Sequence, residues 1–335
     1  MIVLGIESTC DETAAALVRD GRHILSEAIA SSAEIHREFG GVFPELACRR
    51  HIEAIVPVVE KAMQMAQITP EEIDLIAVAK GPGLVGALLI GMQMAKGLSI
   101  AWNKPLVGVN HVEAHLYAAM MGAEEWLFPA LGLVVSGGHT FTWLIEGIGQ
   151  YRLVGTTVDD AVGEAFDKVA VLLGLPYPGG PHVERLALQG NPARFPFRAG
   201  TVKKNPLNFS FSGLKTSVLY AVKEKSLSDQ GLSDQDRADI AASFQEAALS
   251  DLAKKTEMAL QKYPCKALYL GGGVCNNRRL RSLFNARFAL PLFWPSDDLT
   301  MDNAAMIAGL GFQQFFHSGQ SDPLDLEVAS RISIA

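Results

Sequence analysis

The feature that most constrains the fold is a strand pattern that occurs twice along the chain. Residues 2–31, IVLGIESTCDETAAALVRDGRHILSEAIAS, predict three short strands joined by the polar turns STCDET and RDGRH. Residues 130–160, ALGLVVSGGHTFTWLIEGIGQYRLVGTTVDD, predict the same arrangement, with turns at SGGHT and EGIGQ. The likeness includes turn chemistry as well as strand order, which favours a duplication over two unrelated β-meanders.

Helices and strands alternate after each of these strand triplets. The first is followed by a helix around 44–66, the strand IDLIAVA, a helix after GPG and the strand PLVGV. The second is followed by the helix DDAVGEAFDKVAVLLG, a long helix near 233–261, the strand KALYLGGG and a further helix. This β-β-β-α-β-α plan predicts an α/β protein of two similar lobes, each with a mixed sheet covered by helices. We expect the functional site in the cleft between the lobes.

The predicted lobes divide the chain into three ranges. We expect a first lobe at 1–128, with inserted helices near 44–66, to be completed by C-terminal helices at 302–335. The second lobe covers 129–301 and carries an insertion at about 188–236. Most such insertions are simply solvated, but this one interleaves cations with phenylalanines, a composition that can contact RNA backbone and stack bases. The residues concerned are Arg194, Phe195, Phe197, Arg198, Lys203 and Lys204.

Charge, cysteine usage and hydropathy limit the cellular setting. The net charge of −7 gives no overall positive field, so contact with RNA must come from a local basic patch or from another subunit. The four cysteines form no CxxC pair, and the first residues have no cationic signal region. The longest apolar run, GLVGALLIGMQMAKGLSIAW, contains Lys96 and several glycines, which favours a buried helix over a membrane span. We therefore expect a reduced, cytoplasmic protein without a membrane anchor.

Four glycine-rich turns are candidates for anion binding. VVSGGHT leaves a predicted strand, YLGGGVCNNRRL ends a strand and opens a helix, GPGLVGA opens another helix, and YPGGP adds a fourth turn. Bare backbone amides and helix N-termini favour phosphate groups, although any single glycine turn is commonly just a turn. None matches the P-loop or the dinucleotide fingerprint. Together, the four turns favour a phosphate- or nucleotide-binding cleft of another type.

Paired carboxylates occur in two of the motifs. Asp11 and Glu12 lie in the STCDET turn, which corresponds to SGGHT in the second half of the chain. Glu164 and Asp167 are three residues apart, on one face of a predicted helix. Such pairs usually face solvent. Beside a cleft, they could hold a ribose, a magnesium-bound phosphate or a water molecule.

The stretch NHVEAHL places two histidines on one helical face. His111 and His115 are four residues apart and can bind one ion, although two core histidines would show the same spacing. In the peptidase motif HExxH, the glutamate directly follows the first histidine. Here Glu113 lies two positions on, roughly 200° around the helix, which disfavours a zinc peptidase. A further ligand must come from elsewhere, and TMDNAAMIAG offers Asp302 at the start of a late helix.

Ten motifs occur in order along the chain: GIESTCDET, FGGVFPELACRRH, GPGLVGALLIG, NHVEAHL, VVSGGHT, DDAVGEAFDKVA, YPGGP, FSFSGLKT, LGGGVCNNRRL and MDNAAMIA. Together they resemble the catalytic subunit of tRNA threonylcarbamoyladenosine synthase, a family formerly called O-sialoglycoprotein endopeptidase, and the match extends from Val3 to about Gly309. The resemblance implies the two-lobed fold of actin, hexokinase and the heat-shock ATPases. This fold agrees with the duplication predicted above.

The resemblance also implies an activity and partners. The expected reaction transfers the threonylcarbamoyl group from threonylcarbamoyl-AMP to N6 of the adenosine next to the anticodon, in tRNAs that read ANN codons, and releases AMP. The expected partners are an inactive paralogous subunit of the same fold, docking near helix 44–66, and a small ATPase. A metallopeptidase, an ATP-dependent small-molecule kinase of the same fold and a non-catalytic paralogue are the alternatives.

Site residues follow from the same resemblance. One divalent ion, Fe(2+) or else Zn(2+), is expected on His111, His115 and Asp302. The chemistry of the reaction, rather than the resemblance, requires a proton acceptor, and we expect Asp11 or Glu12 to accept the proton of the attacking amine or to order a water molecule. Many relatives have aspartate where this chain has Glu184, and the expected asparagine is Asn277 rather than Asn276. The residues expected to hold the adenylate are Val134, Val135, Ser136, Gly137, Gly138, Asp167, Gly180, Glu184 and Asn277.

Overall fold

The computed structural model describes residues 1–32, 43–227 and 231–332. The chain divides into two compact units, one formed by Met1–Trp126 with Pro295–Ala335 and the other by Leu127–Trp294. Each unit contains a five-stranded mixed sheet. The first four residues of the motif FGGVFPELACRRH lie outside the described residues.

The helices and strands agree closely with those predicted from the sequence. The strands are β1 Ile2–Glu7, β2 Glu12–Arg19, β3 His23–Ser31, β4 Leu75–Gly81, β5 Leu106–Asn110, β6 Ala130–Val135, β7 Thr140–Gly147, β8 Gln150–Thr156, β9 Ala267–Gly271 and β10 Leu292–Phe293. The α-helices are α1 Pro44–Ala66, α2 Val85–Trp102, α3 His111–Met121, α4 Val162–Leu172, α5 Gly179–Ala187, α6 Ser212–Ser226, α7 Asp234–Lys262, α8 Arg278–Arg287 and α9 Ala304–Ser318.

The two sheets have the same topology, which confirms the predicted duplication. Their strand orders are β3-β2-β1-β4-β5 and β8-β7-β6-β9-β10. In the first sheet, β1, β2 and β3 pair antiparallel, whereas β1, β4 and β5 pair parallel. The second sheet repeats this mixture of pairings strand for strand. The carboxyl ends of β1 and β6 therefore occupy corresponding positions in the two units.

Helices cover both faces of the first sheet. Leu4 and Ile6 of β1 belong to a core cluster that includes Ile55 of α1 and Met92 of α2. Gly5 points to the other face, because successive residues of a strand alternate. A Cβ atom at Gly5 would lie 2.3 Å from the Ala304 carbonyl oxygen, so glycine allows α9 to begin directly on the sheet. This contact positions the start of α9 against β1.

The core of the second unit joins its sheet to the helices that carry its motifs. Leu133 and Val135 of β6 pack in one cluster with Phe166 of α4 and Phe244 of α7. The rings of Phe166 and Phe244 meet edge to face, with centroids 4.9 Å apart. This packing holds α4 beside the end of β6, where the glycine turn begins.

Helix α2 is the element most similar to a membrane span in the part of the chain described here. By length and composition alone, it is long and apolar enough to cross a membrane, and a third of it is buried. Leu88, Met92 and Ala95 lie in the core of the first unit. Core helices of soluble proteins meet the same criteria, so a single helix of this kind is only weak evidence for a membrane span.

Candidate functional site

The two histidines of NHVEAHL lie at the beginning of a buried helix. Strand β5 ends at Asn110, whose side-chain oxygen accepts hydrogen bonds from the backbone N–H groups of Val112 and Glu113 and so caps α3. His111 and His115 follow on one face of α3, with ring centroids 4.7 Å apart. Both are buried, with exposed fractions of 4% and 0%.

Asp302 completes a cluster with these histidines. Its Oδ1 lies 3.1 Å from Nε2 of His115 and 3.5 Å from Nε2 of His111. The three ligand atoms lie within 4.8 Å of one another. Asn303, the next residue, caps α9 through its side chain, which accepts from the Met306 N–H. The structure thus brings together the residues that the sequence predicted as metal ligands, although His115 and Asp302 are 187 positions apart.

Glu7 supports this cluster and was not predicted from the sequence. Its Oε2 lies 2.9 Å from Nδ1 of His111, and its Oε1 accepts from the backbone N–H of Thr9. Glu7 is fully buried at the end of β1. A carboxylate accepts, so His111 donates from Nδ1, and only Nε2 can offer a lone pair to an ion once it has lost its own proton. Histidine ligands commonly donate their second ring nitrogen to a carboxylate in this way.

These residues fit a divalent metal ion. Two imidazoles and one carboxylate suit iron(II) and also occur in catalytic zinc sites, so the donor set does not identify the metal. The pKa of His111 is raised to about 9, because Glu7 and Asp302 outweigh the burial that would lower it. Metal binding therefore requires loss of a proton from this imidazole.

Glu12 combines burial with a neighbouring negative charge. Burial first, and then the charge of Asp11, raise the pKa of Glu12 to about 7, and the charge of Asp302 acts in the same direction. Its Oε1 accepts from the Ser31 hydroxyl, whereas Oε2 is buried and has no hydrogen-bond partner among the described residues. A carboxyl group with a pKa near neutrality suits proton transfer. Asp11 is half-buried, and its carbonyl accepts from Ser32.

In the second unit, the glycine turn after β6 has exposed backbone. The Ser136 N–H donates to the His139 carbonyl, and the His139 N–H donates back to the Ser136 hydroxyl oxygen. Gly137 and Gly138 are exposed, and Cβ atoms there would meet nothing within 4 Å. Val134 and Val135 precede the turn and are fully buried in β6. The turn thus joins a fixed strand to two unobstructed amides.

Two further glycines let neighbouring motifs approach this turn. A Cβ atom at Gly163 would lie 2.6 Å from the Ser136 carbonyl oxygen, and the Gly163 N–H donates to that oxygen. Gly272, at the end of β9, has a positive φ of 91°, and its Cβ would lie 2.5 Å from the Val135 carbonyl oxygen. Neither close approach was predicted, although both glycines stand in the motifs singled out from the sequence.

Hydrogen bonds connect the other predicted adenylate residues. Asp167 of α4 accepts from the Gly179 N–H at 2.7 Å and thereby fixes the start of α5, where Gly180 faces open space. Glu184 of α5 accepts from the Arg278 N–H at the start of α8. The glycine turn, α4, α5 and α8 are therefore joined by contacts within the second unit.

Asn277 already has partners for both ends of its amide. Its Oδ1 accepts from the Leu280 N–H as the cap of α8, and its Nδ2 donates to Gln245 at 2.8 Å. Asn277 is buried, whereas Asn276 is exposed. A second N–H on Nδ2 is the group that Asn277 can still offer to a ligand.

The fold resembles that of proteins whose solved structures contain bound nucleotides. Full-length HypF, in a phosphate- and nucleotide-bound form, matches 96% of this chain and 56% of its own, with a TM-score of 0.64 and 13% identity. A ROK family glucokinase from Streptomyces griseus, in complex with glucose and AMPPNP, matches 93% of this chain and 98% of its own, with a TM-score of 0.51 and 12% identity. At these identities, the likeness establishes the fold alone, and it confirms the predicted actin- and hexokinase-like class.

Sequence comparison identifies the family. The family described as TsaD, tRNA N6-adenosine threonylcarbamoyltransferase, matches residues 23–309. A tRNA N6-adenosine threonylcarbamoyltransferase of Protochlamydia amoebophila is 59% identical over 335 residues, which cover 99% of this chain and 98% of the relative. The chain therefore belongs to the TsaD family of tRNA N6-adenosine threonylcarbamoyltransferases.

Proposed function

We propose that the protein transfers a threonylcarbamoyl group from threonylcarbamoyl-AMP to N6 of the adenosine next to the anticodon, in tRNAs that read ANN codons. The observation that carries the proposal is the cluster of His111, His115 and Asp302 in a chain of the TsaD family. In the reaction, N6 forms a bond to the carbonyl carbon, the bond from that carbon to the phosphate oxygen breaks, and AMP leaves with the electron pair.

The second unit is proposed to hold the adenylate. Within the segment Val134–Gly138, the exposed amides of Gly137 and Gly138 can donate to a phosphate without side-chain obstruction. The N-termini of α5 and α8 lie at the glycine motifs YPGGP and LGGGVCNNRRL and favour negative charge. This arrangement would stabilise the AMP leaving group, since charge develops on its phosphate as the bond breaks.

Further side chains of the second unit would orient the nucleoside. Asp167 and Glu184 present carboxylates, which can accept from ribose hydroxyls, and Gly180 leaves room for the ligand to approach α5. Asn277 would donate through the remaining N–H of its amide. The longer side chain of Glu184, compared with the aspartate of many relatives, reaches the N-terminus of α8.

One divalent ion would be held by His111, His115 and Asp302, with iron(II) the expected metal and zinc the second candidate. When bound, such an ion supplies a Lewis acid that polarises a carbonyl oxygen. Glu7 keeps the Nε2 lone pair of His111 available for it. Glu7 and the three ligand residues would thus fix the geometry of the metal site before the substrate binds.

The proton of the attacking amine needs an acceptor, and we assign this role to Asp11 or Glu12. Glu12 has the raised pKa expected of a general base that works near neutrality. An exocyclic adenine amine is a poor nucleophile, so removal of its proton as the bond forms lowers the barrier. The proton moves from N6 to the carboxylate oxygen, and the released AMP carries the negative charge that its phosphate gains when the bond breaks.

The partners and the cellular setting complete the proposal. An inactive paralogous subunit of the same fold and a small ATPase would assist the reaction, and the cytoplasm is the expected compartment, with no membrane involved. Helix α1 is the proposed docking element for the paralogue. It exposes Ile52 and Val56, which are one helical turn apart.

The alternatives are less consistent with the comparisons. The matching family and the relative from Protochlamydia amoebophila carry a tRNA transferase name rather than a peptidase or kinase name. A non-catalytic paralogue would not need the His111, His115 and Asp302 cluster, which this chain retains.

A reconstituted reaction tests the proposal. The purified full chain, supplied with iron(II) and with its partners, is mixed with threonylcarbamoyl-AMP and an unmodified tRNA transcript. We expect equal amounts of AMP and threonylcarbamoyladenosine. A kinase would instead convert ATP to ADP with a small acceptor, and failure to modify the tRNA under these conditions would contradict the proposed function.

A further inference from the structure

The irregular segment before α6 carries a row of exposed cations. Arg194, Arg198, Lys203 and Lys204 are all exposed, and none forms a salt bridge in the described ranges of the chain. The protein as a whole carries a net charge of −7. A concentration of unpaired positive charge on one short segment of an acidic protein marks a surface that can bind a polyanion.

This segment is fixed to the body of the second unit although it forms no helix or strand. The Asn191 N–H donates to the buried carboxylate of Asp239 at 2.8 Å, and the Phe195 N–H donates to the Ser243 hydroxyl oxygen. Further along, Nζ of the buried Lys255 reaches the Gly200 carbonyl. The cations are therefore presented by a backbone that is held in place before a ligand binds.

The two phenylalanines of the segment hold it against the core. The rings of Phe195 and Phe197 stack with centroids 5.5 Å apart, and both pack on the core cluster of the second unit. They are partly buried, so they anchor the segment rather than offer faces to RNA bases. The surface thus favours contacts to phosphate groups, which do not depend on base sequence.

An open groove of about 400 Å³ adjoins the end of the segment. Residues Asn205–Leu207 form one wall, and Met258, Gln261 and Lys262 of α7 form the other. Lys203 and Lys204 directly precede the first wall, and the exposed Lys262 lies on the second. No carboxylate lines the groove in the part of the chain that the structure describes.

We propose that this basic surface, formed by Arg194, Arg198, Lys203, Lys204 and Lys262, binds the phosphate backbone of the tRNA substrate. The proposal rests on the proposed function for the identity of the RNA. Charge complementarity, the unpaired cations and the fixed backbone support it. The contact positions the tRNA without reading its bases, and the acidity of the remaining protein keeps overall affinity weak at physiological salt.

Neutralising two of the lysines tests the proposal. The full chain with Lys203→Gln and Lys204→Gln is compared with a matched control that carries Lys223→Gln and Lys266→Gln, two exposed lysines elsewhere in the same unit. Affinity for an unmodified tRNA transcript is measured from low to physiological salt. Each lost phosphate contact reduces the magnitude of the slope of log affinity against log salt by about one. We therefore expect this magnitude to fall by about two for the test pair and to stay unchanged for the control pair.

The transfer reaction supplies a second readout. We expect the test pair to raise KM for tRNA roughly tenfold and to leave kcat within about twofold, because phosphate contacts position the substrate. Equal salt slopes for test and control pairs would overturn the proposal. Loss of partner assembly with unchanged RNA binding would also overturn it and indicate an acidic protein on this surface. If the wild-type chain binds tRNA with the expected slope but does not modify it, the proposed function fails while this surface stands.

Discussion

Nδ1 of His111 lies 2.9 Å from Oε2 of Glu7, and both side chains are buried. The contact joins residues 104 positions apart and fixes which nitrogen of His111 can bind an ion. We predict that Glu7→Gln lowers the affinity for iron(II) or zinc by about 10- to 100-fold, because an amide can also donate and so permits the wrong tautomer. Competition with a chromophoric chelator measures the affinity, and 15N NMR of labelled histidine reports the tautomer.

The control for Glu7→Gln is Asp239→Asn in the other unit. Asp239 is also a buried carboxylate that accepts a backbone N–H, so its loss removes the same charge without touching the histidines. Equal ion affinities for the two variants would show that Glu7 does not orient His111.

The cluster itself predicts the effect of removing a ligand. We predict that His111→Ala or His115→Ala lowers transfer more than about 100-fold, because two remaining donors hold a divalent ion poorly. The far-ultraviolet circular dichroism spectrum should stay native, and His115→Gln, which leaves a smaller cavity, should behave in the same way. Normal tRNA modification by either alanine variant, with partners present, would refute the metal role.

The raised pKa of Glu12 predicts a pH dependence of stability. Between the ordinary value of 4.5 and about 7, folded metal-free protein keeps a proton that the unfolded chain has lost, so this contribution to stability is lost as the pH rises through that window. Glu12→Gln removes the effect. Its stability relative to the wild type should therefore increase from pH 5 to pH 8, by up to about 3 kcal/mol. Parallel denaturant melts of both proteins would show the change, and a constant difference would contradict it.

Two glycine substitutions in the second unit distinguish an effect on packing from an effect on ligand binding. Gly163→Ala should destabilise the fold by about 1–3 kcal/mol, since its Cβ would lie 2.6 Å from the Ser136 carbonyl oxygen. Gly138→Ala should change stability by less than about 0.5 kcal/mol, since its Cβ meets nothing within 4 Å. It should nevertheless weaken binding of the adenylate, measured by calorimetry with a hydrolysis-resistant analogue. Unchanged affinity would argue against the turn as a phosphate site.

Much of the fold could be predicted because strand and turn signals are local. The polar turns after β1 and β6 marked the duplication, and both sheets have the predicted mixture of pairings. Helix α6 was not predicted within the segment 188–236. Leu214, Val218 and Ala221 form its buried stripe, but the neighbouring apolar residues Leu219 and Tyr220 fall outside that stripe and weaken the amphipathic signal. The helix also follows a proline-rich stretch that favours a loop.

The site was harder to predict because it depends on contacts between distant residues. Helical spacing alone placed His111 and His115 on one face, whereas Asp302 was a candidate from a distant motif that the resemblance to a family then supported. Glu7 could have been suspected, since an acid that ends an otherwise apolar strand is costly to bury without a partner. The spacing of residues along the chain could not reveal which partner it has.

Mass spectrometry of tRNA nucleosides from cells depleted of this protein tests the transfer reaction most directly. We predict that threonylcarbamoyladenosine disappears and unmodified adenosine takes its place, and that the wild-type chain restores the modification whereas His115→Ala does not. A normal level of threonylcarbamoyladenosine in depleted cells would contradict the proposed function, and full restoration by His115→Ala would contradict the role of the metal site.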